Sequence, residues 1–209
     1  MARPTEFDRD KALQAAMLLF WRQGYSATSL QQLLATMAIS RSSLYAAFGD
    51  KRQLFIEALH LFADRTYAIL AQVRTQSNPA VALQLFFTST LFDVPSRRLH
   101  RGCMMINSVL ELAEVDQGLS QLATKRLDEI EEAFRQCFEQ AIDEGVISRD
   151  KTPKQLAQFI MTINQGIRVA ARKEVPSNEL VSIIETTLSL LGICPEEKPI
   201  HPVNYEELP

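Results

Sequence analysis

The sequence predicts an all-α protein in which an N-terminal three-helix helix-turn-helix region is joined to a larger C-terminal helical region. Apolar residues recur at helical spacing along nearly the whole chain. No long alternation of apolar and polar residues bounded by hairpin turns is present, which argues against strands. With 209 residues, 46% of them hydrophobic, the chain is long enough to bury a full core.

Side chains that can cap a helix precede most of the periodic segments. Where glutamine follows three residues later, the pattern predicts a capping box, in which each side chain bonds to the other residue's backbone N–H. Such pairs are Thr28 with Gln31 and Asp50 with Gln53. Asn78 and Thr152 are predicted caps that precede a proline at the first helical position, and Ser40 and Ser177 are further candidate caps. These signals predict helices near residues 8–24, 28–36, 40–47, 50–74, 79–92, 103–113, 117–144, 153–172 and 177–192.

Charge is divided unevenly between the two ends of the chain. The formal net charge is −3, yet residues 1–52 carry seven Lys or Arg residues against four acidic ones, so the head is +3 and the remainder −6. A modestly basic head on an acidic body is typical of a protein that meets phosphates at one end only. Ordinary scatter of surface charge also explains these numbers, so the asymmetry alone does not show that the protein binds nucleic acid.

The cysteines indicate a reducing compartment. Cys103, Cys137 and Cys194 are an odd number at wide spacing, without a CxxC pair or a cluster with histidine, which fits reduced thiols better than disulfides or zinc. We therefore expect a cytoplasmic protein with no metal site and no cofactor. The N-terminus lacks a basic region followed by an apolar run, so neither a signal peptide nor a membrane span is expected.

Residues 28–48 have the spacing of a helix-turn-helix. A capped helix, the four-residue turn Met37–Ser40 and a second short helix follow one another. Leu44 and Phe48 lie four residues apart and supply the face that docks the second helix on the first. The residues left facing outward, which suit phosphates and base edges, are Arg41, Ser42, Ser43 and Tyr45. On spacing alone, a purely structural helical hairpin remains an equal alternative.

A wider set of residues in the head makes the motif more specific. Its members are Ala15–Phe20, Gly24, Tyr25, Thr28, Ser29, Leu33, Ile39, Ser40, Ser43–Tyr45, Phe48 and Lys51. At this spacing they resemble the DNA-binding head of the tetracycline-repressor (TetR) family. The resemblance implies nine or ten helices, a C-terminal dimerisation and ligand domain, and release of DNA when an effector binds. The segment Gly102–Glu111 is similar to a helix in some members of the family, but this similarity does not identify a ligand.

This resemblance sets the expected organisation and activity. We expect a helix-turn-helix DNA-binding domain at residues 1–52, an effector-binding and dimerisation domain at 53–193, and a Pro-rich tail at 194–209. The expected protein is a homodimeric transcriptional regulator, a repressor released from a palindromic operator by a small molecule, and not an enzyme. No membrane partner is expected.

The resemblance and the chemistry of each side chain together assign nine residues to DNA binding. Base edges and nearby phosphates are expected for Arg41, Ser42 and Ser43; phosphates for Thr28, Ser29, Gln31, Tyr45 and Lys51; and a neighbouring groove or phosphate for Arg3. Several of these lie at predicted helix starts, where free N–H groups and the helix dipole favour an anion. Ala46 and Ala47 stand where many relatives carry a larger or polar residue, so base readout is expected to rest on fewer side chains.

Candidates for effector binding are less specific. They are Cys103, Met104, Asn107, Phe134, Asn164 and Arg168. Methionine and cysteine are also ordinary core residues, and the polar residues of the penultimate helix fit a dimer interface slightly better than a pocket. Cys103 follows a basic loop, which favours a reactive thiolate, but a structural cysteine is the better interpretation.

Two functions of other classes stay open at this point. A small helical enzyme with Cys103 as nucleophile and His100 as base lacks a third, orienting group. A protein-interaction adaptor that keeps an unused DNA-binding head is the other alternative. Salt-dependent DNA binding separates a regulator from such an adaptor, because displacement of counterions accompanies phosphate contacts.

Overall fold

The computed structural model describes residues 7–76, 79–92 and 100–193. Within these ranges the chain is helical and contains no strand, which confirms the predicted fold class. The helices are α1 (Arg9–Gln23), α2 (Leu30–Met37), α3 (Arg41–Phe48), α4 (Lys51–Gln76), α5 (Pro79–Phe87), α6 (Met104–Leu112), α7 (Gln117–Asp143), α8 (Pro153–Arg172) and α9 (Ser177–Leu190). None of these helices is long and apolar enough to cross a membrane. Predictions made for Arg3, Asn78 and the tail 194–209 fall outside the described residues.

The contacts divide the chain into two compact units. The first comprises the described part of Met1–Asp64 together with Met104–Thr124, and the second that of Arg65–Cys103 together with Lys125–Pro209. Two of the three boundaries fall inside helices, so α4 and α7 each contribute residues to both units, and the third lies directly before α6. Grouping by contact does not test the functional boundary predicted near residue 52.

The helices of the first unit close around aromatic side chains. Phe20 of α1 is buried and meets the ring of Phe55 from α4 edge-on, with centroids 5.0 Å apart. Arg9 joins three elements, since its Nη2 donates to Glu57 at 2.7 Å and to the Ala47 carbonyl at 3.2 Å. Its guanidinium also lies over the ring of Phe48, 4.5 Å from the centroid. The start of α1 is thereby fixed to the end of α3 and to α4.

The cap of α2 lies one residue further along than predicted. Ser29 Oγ accepts from Gln32 N at 3.2 Å, and the Gln32 side chain accepts from Ser29 N at 2.8 Å. Thr28, the predicted cap, is fully buried and donates its hydroxyl to the Gly24 carbonyl at 2.6 Å. Because a buried hydroxyl must find its partner inside the protein, the exposed serine next to it caps the helix. The prediction of a capping box between Thr28 and Gln31 was therefore wrong, and Ser29 with Gln32 forms it instead.

The other caps are mostly as predicted. Ser40, Asp50 and Thr152 each accept a hydrogen bond from the backbone N–H three residues later. Thr152, predicted as a cap before a proline, also forms a capping box with Gln155. Ser177 is not a cap but the first residue of α9, and Pro176 occupies the cap position without a side-chain bond. That prediction was wrong by one residue because an extended proline already ends the preceding loop.

Helix α5 changes character before its predicted end. It stops being α-helical at Phe87 and continues as a π-helical segment, Thr88–Phe92. Thr88 Oγ1 donates to the Gln84 carbonyl at 3.0 Å and Thr90 Oγ1 to the Phe86 carbonyl at 2.8 Å. Such hydroxyls share the carbonyls that an α-helix needs, which fits a locally wider turn. The single helix predicted over 79–92 is therefore two segments.

The second unit has its own aromatic core. Phe86 of α5 and Phe134 of α7 are fully buried and pack edge-on, with centroids 5.0 Å apart. Helix α9 packs against α8 and against α5. Arg74 of α4 donates to Gln136 of α7 at 3.1 Å. The helices of this unit therefore pack around buried aromatic side chains of their own.

We expect Ala38→Gly to stabilise the protein. Ala38 ends α2 in the left-handed conformation, at φ 54°. In the left-handed conformation an L-residue is less stable by about 1–2 kcal/mol, and glycine would remove that penalty. Part of this gain in stability is offset by the greater conformational freedom of glycine in the unfolded chain. The free energy of unfolding should rise by about 0.5–1 kcal/mol in urea titrations. Ala35→Gly, at an exposed helical position of α2, is the control and should lower it by about 1 kcal/mol; a loss at Ala38 would contradict the prediction.

Candidate DNA-binding surface

Helix α3 is seated by its apolar face. Leu44 is completely buried and Phe48 is 3% exposed, and on α2 Leu33 and Met37 are buried as well. The opposite face of α3 is open to solvent, with Arg41 exposed and Tyr45 exposed by 49%. The docking face and the outward face predicted from the sequence are thus confirmed. A short helix held in this way presents polar side chains without using them for its own stability.

Three serine hydroxyls are gathered at the start of α3. Ser40 Oγ accepts from Ser43 N at 3.0 Å and lies 2.8 Å from the hydroxyl oxygens of both Ser42 and Ser43. Ser42 is exposed and Ser43 is half-buried. Because the cap fixes these hydroxyls relative to the helix, they occupy defined positions beside the first free N–H groups of α3. That arrangement is suited to an anionic oxygen.

The start of α2 offers a smaller set of exposed groups. Ser29 and Gln31 are exposed, although the hydroxyl of Ser29 is already used in the capping box. Thr28 does not lie on this surface, because it is fully buried. Its hydroxyl bond to Gly24 supports the turn between α1 and α2, where Gly24 has φ 84°. Of the three predicted residues here, Gln31 is therefore the one with an exposed side chain outside the cap.

Lys51, the first residue of α4, is held against an aromatic ring. Its Nζ lies 4.4 Å from the centroid of Tyr25. Burial lowers the pKa of Lys51, and the negative charge of Glu111 opposes that shift. Tyr25 packs in turn on Phe55, with ring centroids 4.9 Å apart. The ammonium of Lys51 is therefore positioned beside the turn between α1 and α2 rather than extended freely into solvent.

Two acidic residues that the sequence did not single out hold the head. Glu111 Oε1 accepts from Ser26 N at 2.7 Å and Glu111 Oε2 from Tyr25 N at 3.1 Å. Asp116 accepts from Arg52 twice, Nε at 2.8 Å and Nη2 at 3.2 Å. The Arg52 hydrogen bonds hold the pKa of Asp116 at about 2. The sequence could have indicated Asp116 only through its position as a helix cap, because its Oδ1 accepts from Leu119 N at the start of α7. Nothing comparable marks Glu111.

Of the effector candidates, two form a polar cluster in the second unit. Asn164 is buried, and its Oδ1 accepts from Arg168 Nε at 3.3 Å. Arg168 also donates from Nη1 to the Thr90 carbonyl at 2.8 Å and from Nη2 to the Thr90 hydroxyl at 2.5 Å. Burial lowers the pKa of Arg168. Its guanidinium thus bonds to both oxygens of Thr90, in the middle of the π-helical segment.

Of the other four candidates, Cys103 interacts electrostatically with Arg168 of that cluster. Phe134 belongs to the aromatic core, Cys103 and Met104 are buried, and Asn107 is half-buried. The one cavity described, about 500 Å³, is lined by none of the six; its walls come from residues 147–159 and 190–191. Within the described residues, no group of His, Cys, Asp and Glu is arranged to hold a metal ion.

A recognition helix that docks through Leu44 and Phe48 and exposes a polar face is the architecture of a helix-turn-helix DNA-binding protein. The family model for bacterial regulatory proteins of the tetR family matches residues 12–58. A second model, described as the tetracyclin repressor-like C-terminal domain, matches residues 81–184. The chain therefore belongs to the TetR family of transcriptional regulators.

Known relatives and a solved structure are similar to this protein along nearly its whole chain. The transcriptional repressor ComR of Escherichia coli (strain K12) is 32% identical over 191 residues, covering 90% of this chain and 90% of ComR. The regulator YezE of Bacillus subtilis (strain 168) is 26% identical over 193 residues, covering 91% of this chain and all of YezE.

A cysteine mutant of the TetR family regulator CifR, complexed with 26-base-pair operator DNA, superimposes with TM-score 0.79 at 30% identity, covering 91% of this chain and 100% of that one. These proteins are transcription regulators rather than enzymes, so the alternative of a Cys103 enzyme has no support. This chain is a DNA-binding transcriptional regulator.

Proposed function

We propose that this regulator is a homodimeric, cytoplasmic repressor that reads a palindromic operator with α3 and is released by a small-molecule effector. The observation that carries the proposal is the exposed face of α3, with Arg41 and Tyr45 on a helix whose other face is buried. The likeness to CifR in complex with operator DNA supports it. In this proposal residues 1–52 bind DNA, 53–193 bind effector and dimerise, and 194–209 form a tail.

The proposed DNA contacts follow the exposure of each side chain. Arg41 and Ser42 are placed at base edges and Tyr45 at a phosphate, because these are the most exposed polar side chains of α3. Ser43, Ser29, Gln31 and Lys51 supply further phosphate contacts. Arg3, outside the described residues, is assigned to a neighbouring groove or phosphate from the family resemblance alone. Thr28 acts through the turn it supports and not by direct contact, since its hydroxyl is bonded to Gly24.

Selection from a random duplex library tests this function directly. We expect the purified protein to enrich a palindrome whose half-sites lie about one helical turn, or a multiple of one, apart. Affinity should fall steeply with salt, by roughly 10³- to 10⁵-fold between about 50 and 200 mM if about six to ten phosphates are contacted. Enrichment of no palindrome, together with salt-independent retention, would favour the adaptor.

The proposed dimer interface is an apolar stripe on two neighbouring helices. On α8 the exposed residues recur with helical spacing, and on α9 the same spacing is repeated. The stripe consists of Phe159, Thr162, Gly166 and Val169 on α8 and Ile183, Thr186 and Leu190 on α9. It carries no charged side chain, and α8 and α9 pack on each other. A second copy of the chain fits it, because a symmetric operator requires two heads related by a two-fold axis.

The proposed effector is small and largely apolar. Its candidate contacts remain Cys103, Met104, Asn107, Phe134, Asn164 and Arg168, most of which are buried. Such a ligand needs an apolar environment with a few fixed polar groups, and Asn164 with Arg168 supplies a rigid polar pair.

A ligand screen by thermal shift, followed by operator titration with each hit, tests effector release. We expect at least one hit to raise the melting temperature and to weaken DNA binding by roughly 5- to 150-fold. Because coupling is reciprocal, saturating operator should weaken ligand binding by the same factor. Hits that stabilise the protein but leave operator affinity unchanged would reject effector release even if the ligand site is real.

A further inference from the structure

Glu111 places a carboxylate directly on the backbone of the DNA-binding head. It is the penultimate residue of α6, and both of its oxygens accept backbone N–H bonds, from Tyr25 at 3.1 Å and from Ser26 at 2.7 Å. The approach is so close that a Cβ at Gly24 would collide with the carboxylate. Glycine is thus required here for the contact as well as for its positive φ.

Asp116 makes a second attachment five residues later. It receives two hydrogen bonds from Arg52, the second residue of α4, and caps α7 through Leu119 N at 3.0 Å. A paired guanidinium and carboxylate of this kind fix orientation as well as distance. We call residues 111–116, which join α6 to α7, the corner.

The two attachments flank the recognition unit in the chain. Glu111 holds the turn that precedes α2, and Asp116 holds the start of α4, which follows α3. The head is already closed by its own contacts, among them the pair of Arg9 with Glu57 and the buried ring of Phe20. The corner therefore adds a restraint on the placement of the helix-turn-helix that its core does not need. Helix α7 begins at Gln117, the residue directly after Asp116, so the corner leads straight into its first turn.

We propose that Glu111 and Asp116 are positioning residues that lock the helix-turn-helix to the α6–α7 corner and thereby set the separation of the two recognition helices on DNA. This inference rests on the proposed dimeric function. Neither residue faces DNA in this role; each acts through backbone or side-chain groups next to α2 and α4. When the contacts of Glu111 and Asp116 are lost, each head can still bind its half-site. The distance between the two recognition helices is then no longer fixed.

Operators whose half-sites are moved apart by one or two base pairs test the lock. Wild-type protein should prefer its selected spacing strongly. In Glu111→Gln and in Asp116→Asn the ratio of affinities between the selected and altered spacings should fall at least about tenfold, which is about 1.4 kcal/mol. The half-site sequence preferred by each variant should be unchanged. Glu57→Gln is the matched control, because it makes the same chemical change at an ion pair within the head.

Hydrogen exchange at the Tyr25 and Ser26 amides reports whether the contact itself has been lost. In Glu111→Gln these amides should exchange faster, while those of α3 remain protected. Faster exchange with spacing preference retained in both variants would overturn the inference. Global unfolding of both variants would overturn it too, because the two carboxylates would then be supports of the fold. Failure of the wild type to select any palindrome would instead count against the proposed function.

Discussion

The double substitution Arg41→Ala with Tyr45→Ala is expected to weaken operator binding at least about 30-fold, because each direct contact to DNA is worth about 1–3 kcal/mol. The fold should be unaffected, since the buried side chains that seat α3 are Leu44 and Phe48. Titrations by fluorescence anisotropy, on the operator and on a scrambled duplex, measure both affinity and selectivity. Arg41→Ala alone should change the preferred sequence, whereas Tyr45→Phe should weaken all sequences alike.

A matched control uses the same residue types elsewhere in the first unit and in α4. Arg22 is exposed at the end of α1, and Tyr67 of α4 is exposed by 43%, close to the 49% of Tyr45. The double variant Arg22→Ala with Tyr67→Ala removes a similar charge and aromatic surface without touching α3. Equal losses in the two double variants, or wild-type affinity in the first, would place the DNA-binding surface elsewhere.

The recognition helix was predictable because its signals are local. Leu44 and Phe48 are four residues apart, so their shared face follows from helical geometry alone. The cap at Ser40 lies directly before the helix it starts. The error at Thr28 and Ser29 has the opposite cause: both carry hydroxyls, and only the packing of the whole head decides which one is buried.

The corner could not be predicted, because its contacts join distant parts of the chain. Tyr25 and Glu111 are separated by 86 residues, and Arg52 and Asp116 by 64. Exposed acidic and basic residues are common on helices, and nothing in their spacing marks the pairs that meet. The candidate effector residues show the same limit, since helical periodicity predicts that Phe134 is buried but not whether a ligand or the ring of Phe86 covers it.

Placing a charge at Gly166, in the middle of the α8 stripe, is expected to abolish the dimer. A Cβ at this position meets nothing within 4 Å, so Gly166→Glu leaves the isolated subunit undisturbed. In a two-fold interface the substitution brings two carboxylates into an apolar contact, where neither has a partner, and burying an unpaired charge is strongly unfavourable. Sedimentation at micromolar concentration should show monomers for Gly166→Glu and for Leu190→Glu on α9.

Operator affinity should fall with the dimer, by about 10²-fold or more, because binding of the second half-site is no longer intramolecular. Gly166→Ala keeps the stripe apolar and tests whether glycine itself is needed, and Leu110→Glu, at a residue 72% exposed on α6, adds the same charge away from the stripe. We expect Leu110→Glu to remain dimeric. Dimers that persist in both Gly166→Glu and Leu190→Glu would place the interface outside α8 and α9, whereas monomers that retain full operator affinity would show that one head suffices for binding.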